Sequence, residues 1–215
     1  MPIVLDTTSD LGNQNSSSWT PTAYTVTGSN PILFVAIMET GADFLTGIIY
    51  NNVALTLLGS KQTAGSDRAS VWYLIGPTIG TNDIVITSSS ASQKYGLAAS
   101  YRGVRQTSSI DVSGVHTATS LTNRQVTLVT TVDNDWWFGF CYLDVGSPAT
   151  AGTGATLRNT NGANTNIRIF DSNGAITPAG STNVNVNTSV SASGTLIAGA
   201  FKPMVVGGGA LFAGV

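Results

Sequence analysis

The residues able to do chemistry are few and scattered. His116 is the only histidine and Cys141 the only cysteine among 215 residues. A Ser-His-Asp triad would have to run through His116, which lies in the polar stretch Val115-His116-Thr117, and no Gly-x-Ser-x-Gly elbow accompanies it. Cys141 sits inside the apolar run Trp136-Trp137-Phe138-Gly139-Phe140-Cys141-Tyr142, where a free thiol reads as a buried, inert side chain. A glycosidase needs two facing carboxylates about 5–10 Å apart. Glu39, the only glutamate, follows an apolar strand in Met38-Glu39-Thr40-Gly41-Ala42-Asp43 and reads as a solvated turn carboxylate. Asp133-Asn134-Asp135 offers three adjacent oxygen side chains, and Asp6 and Asp10 bracket another polar stretch. Calcium favours such oxygens, yet neither stretch completes a known calcium-loop pattern, so a turn entering the Trp136 strand is expected. Gly207-Gly208-Gly209 lacks the strand–helix context of a phosphate cradle. The expectation is a protein that is not an enzyme, with no catalytic residue, no cofactor site and no metal site.

Aromatic residues carry more information. Trp136 and Trp137 are adjacent in an expected strand, and adjacent strand residues point to opposite faces. They cannot both enter the same core. One must meet a loop, a second core layer, a ligand or another subunit. A sugar-binding surface would use outward aromatics such as Trp19, Trp136 or Trp137, with amides from residues 159–166, Asn161 and Asn164 among them. Core filling and subunit contact are the competing readings.

The elements that must position these residues are strands. Thr, Ser and Asn supply 68 residues, while only 20 side chains, 9%, are charged. An ordinary soluble domain carries about 25% charged residues. The net charge of −2 excludes the basic footprint that nucleic acid requires. The apolar fraction of 42% excludes a disordered chain. Short β-branched and aromatic runs, punctuated by Gly, Asn, Pro and Ser, predict an all-β fold: an antiparallel β-sandwich, jelly-roll-like. Ile32–Met38 and Trp136–Leu143 are apolar on both faces and read as central strands, or as strands whose second face meets a partner. Tyr50-Asn51-Asn52-Val53 predicts a tight type I′ hairpin, because Asn tolerates positive φ. Segments 7–18, 88–94, 146–165 and 171–182 read as Ser/Thr/Asn-rich loops. No domain boundary and no fixed-period repeat is evident, so residues 1–202 are expected to form a single domain.

Residues 203–215 stand apart as an apolar C-terminal tail. Lys202 is the last charge, and three glycines separate the apolar anchors Met204, Val205 and Val206 from Leu211 and Phe212. Exposed apolar surface usually has a partner, so these five residues are candidates for docking on a neighbouring subunit. The N-terminus carries no signal-peptide pattern, and no stretch is long and apolar enough to span a membrane.

Ile49-Tyr50-Asn51-Asn52-Val53-Ala54-Leu55-Thr56, Val71-Trp72-Tyr73-Leu74, Gly76-Pro77, Gly80-Thr81, Ile84-Val85-Ile86-Thr87 and Ser100-Tyr101-Arg102-Gly103-Val104 together resemble a β-sandwich module of phage virion structural proteins and bacterial surface proteins. The resemblance covers residues 47–110 and assigns no catalytic residue. It implies a fold and a setting. With the composition, it leads to the expectation of a non-enzymatic virion structural protein of a tailed phage, a capsid decoration or a tail or fibre component. Such a protein is made in the host cytoplasm, exposed on the particle surface, and partnered by its own copies and other virion proteins. The alternative is a carbohydrate-binding or adhesive surface module that recognises a cell-surface glycan.

Overall fold

In the computed structural model, residues 1–59, 61–64, 66–144 and 149–205 are described. They form an all-β architecture of antiparallel sheets packed together, without a helix. The first half of the chain contains β1 (Val4–Trp19), β2 (Tyr24–Val26), β3 (Ile32–Glu39), β4 (Leu45–Tyr50), β5 (Val53–Ala54), β6 (Thr56–Leu57), β7 (Gln62–Ala64), β8 (Asp67–Ile75), β9 (Gly80–Asn82) and β10 (Ile84–Arg102). The second half contains β11 (Ile110–Val129), β12 (Trp136–Leu143), β13 (Thr150–Ala151), β14 (Thr156–Thr160), β15 (Ile167–Asp171) and β16 (Ser181–Phe201).

The two halves repeat one strand order. The first sheet runs β1-β10-β3-β8-β6, with β4 on the N-terminal half of β10. The second runs β11-β16-β12-β15-β14, with β13 on the N-terminal half of β16. The ladders agree residue by residue: Ile32 pairs with Tyr101 as Trp136 pairs with Phe201, and Trp19 pairs with Ile86 as Arg124 pairs with Val186. This repetition is absent from the sequence reading because corresponding residues share a type rather than an identity, as in Leu97-Ala98-Ala99-Ser100-Tyr101-Arg102 against Ile197-Ala198-Gly199-Ala200-Phe201-Lys202.

Each long two-stranded ribbon also breaks at the same place. Partners pass from Ser16 and Ser92 to Ser18 and Thr87 in one, and from Leu121 and Ala192 to Asn123 and Asn187 in the other. Residues 88–91 and 188–191 are thus skipped, and such bulges bend a strand sharply. The far half of each ribbon then lies over the outer face of its own sheet. This explains why every residue of β3 and β12 is buried, and it settles the two central strands read from the sequence. Three cores result. Phe34, Met38, Tyr101, Trp136, Phe138 and Phe201 fill the space between the sheets. Val35 and Trp72 join Trp19 and Ile86 under the first curl. Trp137 and Cys141 join Val184 and Val186 under the second.

The corresponding residues Phe34 and Phe138 meet at the centre, stacked at 4.7 Å with ring planes 3° apart. Such a pair adds roughly 0.5–1.5 kcal/mol beyond its buried area. The type I′ hairpin is present, with φ of 45° at Asn51 and 63° at Asn52. Segments 7–18 and 88–94, expected as loops, are strand throughout, in the middle of β1 and β10. Their hydroxyls and amides are largely exposed, so these strands lack the apolar alternation that marks one with a buried face.

Bending a ribbon frees carbonyls, and each half meets them with a buried cation. Lys94 Nζ donates to Ser16 O (2.8 Å), Ser92 O (3.1 Å) and Ser92 Oγ (2.9 Å). Arg124 donates to Ala192 O and Leu121 O. Gly194 stands where Lys94 stands in the first half, and a Cβ there would lie 2.5 Å from Tyr142 O and 3.1 Å from Arg124 Nε. The glycine therefore makes room first for the Tyr142 carbonyl and the Leu143 side chain, and then for the guanidinium. Glu39 corrects its reading as a solvated carboxylate. It is 2% exposed and accepts from Phe44 N and Leu45 N at 3.0 Å and from Ser92 Oγ at 2.5 Å, with Lys94 Nζ 3.6 Å away.

Candidate functional site

The first residue of the chain meets the last described ones where the corresponding strands β10 and β16 run out. Val104 bridges Pro203, Met204 N donates to Gly103 O at 2.8 Å, and the Met1 ammonium donates to Met204 O at 3.3 Å. Around this junction Met1, Ile3, Asn134, Trp136, Met204 and Val205 line a cavity of about 430 Å³. Its rim is open and mixes exposed apolar side chains (Met1 50% exposed, Met204 36% and Val205 71%) with the Met1 ammonium and Asp133. Asn134, with φ of 68°, makes the turn into β12, and Asp133 Oδ1 caps Ala179 N at 2.6 Å. The Asp-Asn-Asp stretch is thus the turn expected from sequence.

Beneath this turn lies a cluster of ionisable groups. Asp111, at the start of β11, accepts from Thr131 N and Thr131 Oγ1, each at 2.5 Å, and its carboxylate is 3.0 Å from Lys202 Nζ. The Asp111 side chain is 1% exposed and that of Lys202 16%. Asp135 is fully buried beside Asp111, and no donor among the described residues reaches either of its oxygens. Two ionised carboxylates cannot share a hydrogen bond, so one must hold a proton. Burial first, then the Asp111 carboxylate, pushes Asp135 up to about 8, against the pull of Lys202. Burial also disfavours charge on Asp111, but Thr131, Asp135 and Lys202 outweigh it and hold that carboxyl down at about 2. At neutral pH, Asp135 is the donor and Asp111 the acceptor.

The corresponding place in the first half is simpler. Asp6 accepts from Thr27 N (2.8 Å), Thr27 Oγ1 and Ser100 Oγ (2.9 Å). Pro31 replaces Asp135 there, and Arg102 replaces Lys202. Sequence reasoning missed the cluster because its three members come from distant strands. The departure of Asp135 and Lys202 from their counterparts becomes visible only once the halves are aligned by their ladders.

The sequence candidates fall as follows. Met204 and Val205 lie at the cavity rim, whereas Val206, Leu211 and Phe212 lie outside the described residues. Trp136 forms the cavity floor and is 9% exposed, its ring edge-on to Tyr101 at 6.0 Å. Trp137, at 1%, points the other way into the second curl, as the opposite-face rule requires. Trp19 is 6% exposed and packed in the first curl. Trp19 and Trp137 offer no aromatic platform to a sugar, because the curled ribbons cover the outer faces that a simple sandwich would expose, and Trp136 belongs to the core between the sheets with only its edge of the cavity open. Asn161 is fully buried and already used: its Nδ2 donates to Asp10 Oδ1 (2.7 Å), Gly12 O (2.9 Å) and Gly96 O (3.2 Å), clipping the halves together. Asn164 is half-buried and shapes the same turn, accepting from Asn166 N at 3.2 Å. Cys141 is buried, its thiol pushed up to about 12 by burial against the opposing charges of Arg124 and Arg168. His116 lies in a strand rather than a loop, and its Nδ1 accepts from Gln125 N at 3.0 Å, closing the second curl. No helix among the described residues is long and apolar enough to cross a membrane. Comparison with protein families, with curated proteins and with solved structures gives no match to this chain.

Proposed function

We propose that the chain is a non-enzymatic assembly protein of a tailed-phage virion, a capsid decoration or a tail or fibre component. In this reading it holds its neighbours through the end of the molecule where Met1 lies beside Met204 and Val205. The observation that carries the reading is the apolar rim of Met1, Met204 and Val205 around the 430 Å³ cavity. There the chain passes into an uncharged, glycine-jointed segment, 206–215. Apolar side chains exposed together around a cavity favour a protein partner. Elsewhere the exposed strand surface is mostly hydroxyls and amides with scattered apolar side chains such as Val53 and Val129, so crowded copies would not repel one another strongly. Many weak contacts of this kind hold through avidity on a symmetric particle. Partners would be other copies of the chain and other virion proteins, with the protein displayed on the particle surface.

Light scattering after size exclusion tests the reading. The full chain is expected to associate with itself or with virion particles, and a chain ending at Pro203 is expected to lose that association. Val205→Asp, which alters only an exposed side chain, should weaken it with the fold intact. Association unchanged by both alterations would overturn the proposal.

A further inference from the structure

We propose that Lys202 and Asp111 form an intramolecular amide bond, with Asp135 as the acid and base that drives it. Such a bond would tie the first strand of the second half, β11, to the last, β16.

Three observations point to this chemistry. The primary amine of Lys202 is 3.0 Å from an Asp111 oxygen, which holds the nucleophile against the carboxyl group it would attack. Thr131 grips both Asp111 oxygens through its N–H and its hydroxyl, which fixes the carboxyl carbon toward β16. The side chain of Asp135 is fully buried against this pair, with no partner among the described residues for either oxygen other than the Asp111 carboxyl. An ordinary ion pair has no use for a second buried acid, whose desolvation is costly. A condensation does.

The step balances without an oxidant or a reductant. The Lys202 ammonium passes one proton to an Asp111 oxygen, and the neutral Nζ attacks Asp111 Cγ. That oxygen leaves as water, taking its second proton from Asp135, and Asp135 recovers a proton from Nζ. One C–N bond forms, one C–O bond breaks and one water departs. In bulk water hydrolysis would oppose the product, but orientation and exclusion of solvent replace that competition with an effectively unimolecular step.

The first half provides an internal reference. Asp6 and Thr27 repeat Asp111 and Thr131, but Arg102 is no nucleophile and Pro31 no acid. Asp6 remains an ordinary carboxylate.

Mass spectrometry of the intact folded chain decides the matter. The wild-type protein is expected to weigh less than its sequence by the mass of one water. A protease digest should contain the peptide carrying Asp111 joined to the peptide carrying Lys202, with the Asp6 peptide free. Lys202→Arg, which keeps the charge and removes the nucleophile, should restore the missing water. Asp135→Asn should leave the two peptides unjoined. A wild-type chain at its full sequence mass would overturn the bond, as would a water loss that persists in Lys202→Arg. Joined peptides in Asp135→Asn would overturn the role given to Asp135. The wild-type measurement involves no substitution, so a variant that fails to fold does not obscure it.

Discussion

Replacing Lys94 by Met tests the reasoning about the bent ribbons most directly. Met has nearly the length of the lysine stem and fills its apolar channel, so the change isolates the ammonium. Three acceptors lose their donor: Ser16 O, Ser92 O and Ser92 Oγ, at 2.8–3.1 Å. Glu39 Oε1 loses its ion-pair partner, 3.6 Å away, although Glu39 keeps Phe44 N, Leu45 N, Ser92 Oγ and Ser88 Oγ. Both charges are essentially buried, at 0% and 2% side-chain exposure. Breaking a buried pair from one side costs about 3–5 kcal/mol, since the survivor is left uncompensated. The four hydrogen bonds that Glu39 keeps place the expected loss near the lower end, at about 3 kcal/mol.

Urea unfolding followed by tryptophan fluorescence is a suitable assay, because Trp19 and Trp72 pack in the affected core. The midpoint should fall with little change in slope. Amide exchange should speed up around residues 16–18 and 88–92, while the second ribbon, held by Arg124, stays protected. Glu39→Gln combined with Lys94→Met should cost less than the sum of the two single changes, with a coupling of about 0.5–3 kcal/mol. A Lys94→Met loss below about 1 kcal/mol, the scale of an exposed ion pair, would refute the view that the cation sustains the bend.

Three further outcomes are expected. Asn161→Ala removes three donated hydrogen bonds between the halves; it should lower stability by about 1–3 kcal/mol and speed exchange along β1, and an unchanged urea midpoint would contradict the clip. Asp135 has a folded pKa, about 8, above its unfolded value, so its contribution to stability falls as pH rises from about 5 to 8, by roughly 1.4 kcal/mol per unit, and levels off above. In a Lys202→Arg background, urea midpoints should show that slope, and Asp135→Asn should flatten it; equal slopes would exclude a buried neutral acid. Cys141, buried with its thiol pushed up to about 12, should resist alkylation at pH 8 until urea unfolds the chain, and labelling of the native protein would count against a closed second curl.

Local patterning made part of this fold legible. The apolar runs over Ile32–Met38 and Trp136–Leu143, the Asn51-Asn52 hairpin and the opposite faces of Trp136 and Trp137 all follow from neighbouring residues in sequence. What escaped depends on distant partners. Segments 7–18 and 88–94 look like loops because exposed ribbon strands need no apolar face. Glu39 looks solvated until Lys94 and Ser92 arrive from another strand. Trp19 looks available to a sugar until the ribbon curls and makes a second core of the outer face. At the site, Met204 and Val205 were legible as unpaired apolar residues. The Asp111–Asp135–Lys202 cluster was not, since no spacing along the chain links a strand start, a turn and a strand end.

The repeated strand order separates residues that build the fold from residues that do something more. Where the halves agree, folding is sufficient explanation: Asp6 and Asp111 each cap a threonine, Phe34 and Phe138 share the centre, and both ribbons skip the same four positions. Where they exchange parts, the need is still structural, as with Lys94 in one half and Arg124 beside Gly194 in the other. A third class has no counterpart at all. Asp135 stands against Pro31, and the Lys202 amine stands against the Arg102 guanidinium. Likewise the segment that follows Val205 replaces a linker, residues 105–109, that in the first half leads into β11 and is tied to β16 by Arg105 N on Lys202 O and Lys202 N on Ser109 O. Fold maintenance asks for none of these departures, because the first half folds without them. They also converge on one end of the molecule, where Lys202 immediately precedes the residues of the apolar rim. A covalent tie at Lys202 would place a fixed anchor directly before the segment proposed to carry load to a neighbour, so that tension on Met204 and Val205 would pass to β11 through a bond instead of peeling β16 from its sheet.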